Sequence, residues 1–273
     1  MSRCSRLLSF IALLLMHAPL VAAAASRVAS MHLCTDQLLL TLAAPQQIVS
    51  LSWLSADPAY SPVAHAVPGH HLNHGQAEEL LPLQPDLVLA GAFSTTLAAQ
   101  LLERQGLRVE RIGVAASIED QYAQFRQIGI LLGRQAQAEA VVQQMQAALD
   151  QHSRSLRAQL QGKRAVFYSS NGYSYGRNTL QHDFITSLGM QNGAGNGEGV
   201  FALPLEQLLV QAPDYVFIDR PAGEEAPLAH MLLGHPALAA LAPRLRMMVL
   251  PDTLFQCASP LFVTAYERLE AQL

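Results

Sequence analysis

Three histidines, His70, His71 and His74, crowd the stretch PGHHLNHG, and imidazoles at that density can hold a metal ion. No acid is interleaved as in an H-E-x-x-H helix, and the stretch lies between Gly69 and Gly75. It reads as a loop, solvated or touching a ligand at its rim, and no metal site is assigned to it. Gly193, Gly195, Gly197 and Gly199 imitate a dinucleotide fingerprint, but Glu198 stands where the third glycine of G-x-G-x-x-G would fall. The run does not open a helix after a strand either, so it reads as a flexible connection and no cofactor is expected. There is no G-x-S-x-G elbow and no Asp/Glu-His-Cys set at metal-site spacing, which leaves a secreted metal-dependent hydrolase as a remote reading only. Binding without turnover is the expectation.

The side chains suited to binding are aromatics and arginines. Trp53 and Tyr60 lie in SWLSADPAY, Tyr173, Tyr175 and Arg177 in NGYSYGR, Arg220 after Ile218-Asp219, and Phe255 near the end. Aromatics with a polar tip suit a large, flat, partly apolar ligand. Fixed guanidinium groups favour an anionic chelate such as a ferric siderophore, whereas a cobalamin site needs only the aromatics.

These residues fall in the loops between apolar runs. Strands are expected at Val28–Met31, Ile48–Leu51, Leu87–Ala90, Val109–Ile112, Ala165–Tyr168, Val216–Ile218 and Met247–Leu250, with helices around Asp36–Leu42, Leu97–Gln105, Leu180–Leu188 and His235–Leu241. Strands alternating with helices imply α/β layers with mainly parallel sheets. Loops at the carboxyl ends of parallel strands are where such sheets bind ligands.

The plan occurs twice. Residues 76–89 read QAEELLPLQPDLVL and residues 204–217 read PLEQLLVQAPDYVF. In each, a glutamate (Glu78, Glu206) precedes a Leu-Leu pair, then Pro-Asp, then an apolar run. A short helix stopped by proline and followed by a buried strand accounts for both copies. Between the copies, residues 117–162 hold no strand-like run, and Ile128, Leu131, Leu132, Ala138, Val141, Val142, Met145, Ala148 and Leu149 recur at helical spacing. The expected layout is a signal peptide over 1–25, an α/β lobe over 26–116, linking helices over 117–162 and a second α/β lobe over 163–273. One long helix joins the lobes, with a ligand cleft between them.

Composition excludes several classes. Half of the 273 residues are hydrophobic, 14% are charged, and the formal charge is −4, so neither a disordered chain nor a nucleic-acid binder is expected. Arg3 and Arg6, the apolar run from Leu7 to Leu15, and Ala22 to Ala25 before Ser26 have the layout of a cleavable secretory signal. Cys34 and Cys257 then remain, an even pair that suggests a disulfide in an oxidising compartment, although cysteine is also simply buried as a small apolar residue.

The opening Arg27-Val28-Ala29-Ser30, the paired Glu…Pro-Asp segments, Asn171-Gly172-Tyr173 with Thr179-Leu180, and Asp252 through Ala258-Ser259-Pro260 resemble the helix-linked (class III) periplasmic binding proteins. That family serves ferric-siderophore, haem and cobalamin importers. The resemblance covers essentially the whole mature chain. It implies a periplasmic protein that holds its ligand between the lobes, and with the arginines the expected ligand is a ferric siderophore or similar metal chelate, cobalamin or haem being the alternative. It also implies that Glu78 and Glu206, one per lobe, meet arginines of an ABC transporter permease in the inner membrane.

Overall fold

The computed structural model describes residues 24–93, 96–169, 172–219 and 245–273. Arg220, the expected helix at 235–241 and nearly all of the expected signal peptide lie outside the described residues.

The first lobe holds β1 (Val28–Ser30), α1 (Leu33–Leu42), β2 (Ile48–Ser52), β3 (Leu72–Asn73), α2 (Ala77–Leu80), β4 (Leu87–Gly91), α3 (Thr96–Arg104) and β5 (Val109–Ile112). Its five strands are parallel in the order β3-β2-β1-β4-β5. β1 and β4 are buried along their whole length, which is why they read as continuous apolar runs without alternation.

Two helices follow. α4 (Ile118–Leu132) starts at Ser117, whose side chain accepts from Asp120 N, and stops at Gly133 in the left-handed conformation. α5 (Gln135–Leu160) runs for 26 residues, about 39 Å at 1.5 Å per residue. Its buried stripe is Ala138, Val141, Val142, Met145, Leu149, Leu156 and Leu160. α4 packs on α1 of the first lobe and, with Ile118 N donating to Asp183 (2.7 Å), on the first turn of a helix in the second. One apolar core therefore runs from Leu38 and Leu39 through Phe125 and Ile128 to Phe184 and Phe217.

The second lobe comprises β6 (Arg164–Phe167), β7 (Tyr173–Tyr175), α6 (Leu180–Ser187), β8 (Gln191–Asn192), β9 (Val200–Ala202), α7 (Leu205–Gln211), β10 (Tyr215–Ile218), β11 (Arg246–Val249) and α8 (Val263–Glu270). Its main sheet is parallel in the order β11-β10-β6-β8, and β7 and β9 form a separate antiparallel pair.

The sequence repeat is also a repeat of contacts. After each short helix, a residue before proline takes a positive φ, Gln84 at 47° and Ala212 at 42°. The aspartate of each Pro-Asp then accepts from the backbone at the start of the lobe's first strand. Asp86 takes Ser26 N (2.8 Å) and Arg27 N (3.0 Å), and Asp214 takes Arg164 N (2.8 Å). The arginine at that point reaches back to a carbonyl at the helix end, Arg27 to Leu83 (2.6 Å) and Arg164 to Gln211 (2.8 Å). Those carbonyls lack an intrahelical partner, and the guanidinium supplies one.

The glycine-rich run 191–199 is not the flexible connection expected. It contributes β8, and its backbone packs closely on the β7–β9 pair. A Cβ on Gly176 would lie 2.0 Å from the Gly197 carbonyl oxygen, and one on Gly197 would lie 2.2 Å from the Phe201 ring. Both sites require glycine for close approach of two backbones or a backbone and a ring.

Candidate functional site

Each main sheet reverses its winding once, and the crevice outside the carboxyl ends of the strands flanking that reversal is where open α/β sheets take ligands. In the first lobe the reversal lies between β1 and β4. A pocket opens there, walled by His32 and Cys34 after β1, Ala92 and Phe93 after β4, and Val114 after β5. Its other wall is Gln256, Cys257 and Ala258 of the second lobe. A disulfide joins Cys34 to Cys257 here, with Cα atoms 4.9 Å apart, inside the range the bond spans without backbone movement.

Two large apolar side chains of the pocket wall stand in water, and three more aromatics are exposed in strand-end loops. Phe93 is 87% exposed and Val114 67%. Trp53 follows β2 and is 43% exposed, Tyr60 is in the same loop, and Tyr173 opens β7 just after the turn that ends β6; both tyrosines are exposed. Burying such a side chain against a ligand recovers on the order of 1.5–3 kcal/mol that exposure forfeits, which makes these exposed apolar groups candidate contacts.

The loop carrying Trp53 is anchored from below. Asp36 of α1, fully buried, accepts from Ser52 N (3.1 Å) and from the hydroxyls of Ser52 and Ser55. Burial pushes its carboxyl above the usual carboxylate range, against the opposing pull of hydrogen bonds from Ser30, Ser52 and Ser55. Asn73 donates to Ser30 O, Leu51 O and Ser50 Oγ, stitching together the ends of β1, β2 and β3. His74 stacks on Trp53 with ring centroids 5.9 Å apart. Its Nδ1 and backbone N are held by Glu79 at 3.0 and 2.7 Å. His71 bonds Ser50 Oγ (3.1 Å). Two of the three crowded histidines thus brace the loop, and among the described residues no group of three ligating side chains could hold a metal.

In the second lobe the reversal lies between β6 and β10. Ser169 donates to Asp252 (3.0 Å), Tyr175 OH donates to the same carboxylate (3.4 Å), and Asp252 N donates to Asp219 (3.2 Å). Burial, and then the charge of Asp252, push the Tyr175 phenol up to about 12, so it stays a neutral donor.

None of the expected ligand contacts among the described residues is in the wall of that pocket. Phe255 is buried in the core, its ring 4.9 Å from Phe167 and 5.3 Å from Phe184. It holds the 252–258 loop in place from beneath. Arg177 is exposed, but its backbone pairs with Gly197 and Gly199 at the far end of the β7–β9 pair, beyond Tyr175, and it is not part of the pocket wall. The sequence reading passed over His32, Phe93, Val114 and Gln256. The signal that finds them is the strand-end rule itself, since His32, Phe93 and Val114 lie within two residues of the ends of β1, β4 and β5.

Glu78 and Glu206 are exposed in the first turns of α2 and α7. The capping role at α2 belongs to the adjacent Glu79, whose carboxylate bonds Gln76 N and His74; Glu78 carries no part of it. At α7 the cap position is Pro204, without a side-chain bond.

The sequence profile of the family described as periplasmic binding protein matches residues 28–243. Among solved structures, a possible iron-binding (periplasmic solute-binding) protein from Staphylococcus epidermidis superposes with a TM-score of 0.75 at 20% identity, covering 92% of this chain and 99% of that one. A periplasmic haem-binding protein from Pseudomonas aeruginosa gives 0.71 at 22% identity, over 90% and 92% of the two chains. The periplasmic vitamin B12 binding protein of Vibrio cholerae gives 0.67 at 17% identity, over 91% and 96%. At these identities the superpositions establish a shared two-lobed fold. Comparison with curated protein sequences gives no match.

Proposed function

We propose, from the premise that this chain belongs to the periplasmic binding protein family, that it is the solute-capturing subunit of an ABC importer for a metal chelate with a large, flat, mainly apolar face, of haem or corrinoid type. The family is one of solute-binding proteins of the periplasm, typically non-enzymatic, and the signal-like segment 1–25 would take the chain there. Among the described residues no helix is long and apolar enough to cross a membrane.

The observation that carries the ligand class is exposed Phe93 and Val114 in the wall of a pocket between the lobes, with Trp53, Tyr60 and Tyr173 exposed in strand-end loops. Such side chains offer stacking area and few charges, which suits a macrocycle. The haem and vitamin B12 proteins of the same fold support this reading. A ferric siderophore is the second reading, and it rests on Arg220 now that Arg177 stands away from the pocket.

After capture, the loaded protein docks on the permease through Glu78 and Glu206, which sit at equivalent places in the two lobes. Carboxylates so placed give orientation and association rate on a two-fold symmetric partner more than raw affinity.

Titration with haemin, cyanocobalamin and a ferric catecholate, followed by Trp53 fluorescence, tests the ligand class. One macrocycle should bind per chain at micromolar affinity or better, about −8 kcal/mol. Binding of the catecholate alone would replace this reading with the siderophore one.

A further inference from the structure

His32 lines the pocket as the N-cap of α1, and its Nδ1 accepts the Cys34 backbone N–H at 3.3 Å. A backbone N–H can only donate, so Nδ1 carries a lone pair and the proton of the neutral ring is on Nε2. Adding a second proton, or placing a metal on Nε2, would put hydrogen on Nδ1 and set two donors against each other. Burial lowers the pKa of this histidine, which favours the same neutral form.

Among the described residues lining the pocket, the other side-chain donors are already committed. Thr35 Oγ1 is bonded to Ser30 Oγ (2.6 Å) and His32 O (2.8 Å), and Gln124 Nε2 to Gly113 O (3.0 Å). The donors that remain are the Nε2–H of His32 and the exposed amide of Gln256, neither with a side-chain partner among the described residues. They flank the two halves of the disulfide, His32 just before Cys34 and Gln256 beside Cys257. The bridge therefore holds one free polar group from each lobe in a single frame, and Asp36 N donating to His32 O (2.9 Å) fixes the His32 backbone as well.

We infer that His32 is a specificity-determining hydrogen-bond donor of the cleft, reading an acceptor oxygen on the periphery of the bound chelate, and that it is not a ligand to the metal. This rests on the function proposed above and names the chemistry that selects within it. The acceptor is a carbonyl or carboxylate oxygen, as on a corrinoid amide or a haem propionate, and Gln256 pairs with the same edge of the ligand.

Two arms test it. In the ligand-free protein, nitrogen-15 NMR of the imidazoles should show His32 with a protonated Nε2 and an unprotonated Nδ1, and a protonated Nδ1 would overturn the inference. In the second arm, His32→Asn is compared with wild type for haemin and cyanocobalamin. Asparagine is a strong N-cap residue, so the variant keeps α1 capped while losing the ring N–H; an unchanged melting temperature checks this. Loss of one hydrogen bond should weaken binding about tenfold, with the absorption bands of the bound chelate unmoved. A loss confined to cyanocobalamin identifies an amide acceptor, and one confined to haemin a propionate. Undiminished affinity in the variant, or a shift of the metal-sensitive bands, overturns the inference alone. Failure of wild type to bind either chelate overturns the proposed function and this inference with it.

Discussion

Cys34 and Cys257 are joined across 223 positions of sequence, which fastens the first turn of α1 to the loop after β11 at the pocket between the lobes. In the chain-entropy picture, closing so long a loop stabilises the fold by roughly 5 kcal/mol. The Cys34→Ser, Cys257→Ser variant should therefore melt well below wild type, by differential scanning calorimetry, and reductant should lower the wild-type midpoint toward it. Two free thiols in protein purified from the periplasm, by mass spectrometry without reduction, would contradict the bridge.

Trp53 is the single tryptophan of the chain, so its fluorescence reports its own loop alone. Stacked on His74 and partly exposed, it should be quenched as the chelate binds. Trp53→Ala should weaken binding by about 2 kcal/mol, the size of an aromatic hot spot. Equal affinity of variant and wild type by calorimetry would place the ligand elsewhere.

Asp36 links the anchoring of that loop to pH. Burial raises its folded-state pKa above the unfolded value of 3.8, so the native state holds the proton longer as pH rises. Its contribution to stability is therefore fully present below that value and is lost as pH rises through the folded-state pKa. Urea midpoints of wild type minus those of Asp36→Asn should fall from pH 4 upward and then level off. A difference that stays flat with pH would show that Asp36 titrates as if exposed.

The two lobes and the long α5 were legible because each depends on local pattern: runs of buried strand, an apolar stripe at helical spacing, and Pro-Asp after a short helix. The structure supplies a physical reason for the repeat, since Asp86 and Asp214 each bind the backbone that opens the first strand of their lobe. The candidate contacts were only partly legible. Phe255 is an aromatic in a late loop like Trp53, and only its packing on Phe167 and Phe184, distant in sequence, shows that it faces the core. Arg177 lies off the pocket wall because the β7–β9 pair carries the chain away from the strand end, and strands of three residues leave no periodicity to read. Phe93 and Val114 lack a polar tip, so residue type alone passed over them although their position gave them away.

Glu78 and Glu206 carry the docking expectation. Reversing both to lysine should leave chelate affinity and melting temperature nearly unchanged, because both side chains are exposed and Glu79 does the capping at α2. Uptake of the chelate by cells should collapse. Normal uptake at normal periplasmic abundance of the double variant would remove these residues from any permease contact.

The most direct test of the central claim is to isolate the protein from the periplasm of cells supplied with haem, a corrinoid and ferric siderophores. The mass and absorption spectrum of what leaves with it are then recorded. The account expects one intact macrocyclic chelate per chain, recovered chemically unchanged on denaturation. Protein that carries none of these and shifts neither its Trp53 fluorescence nor its melting temperature when they are added would contradict it.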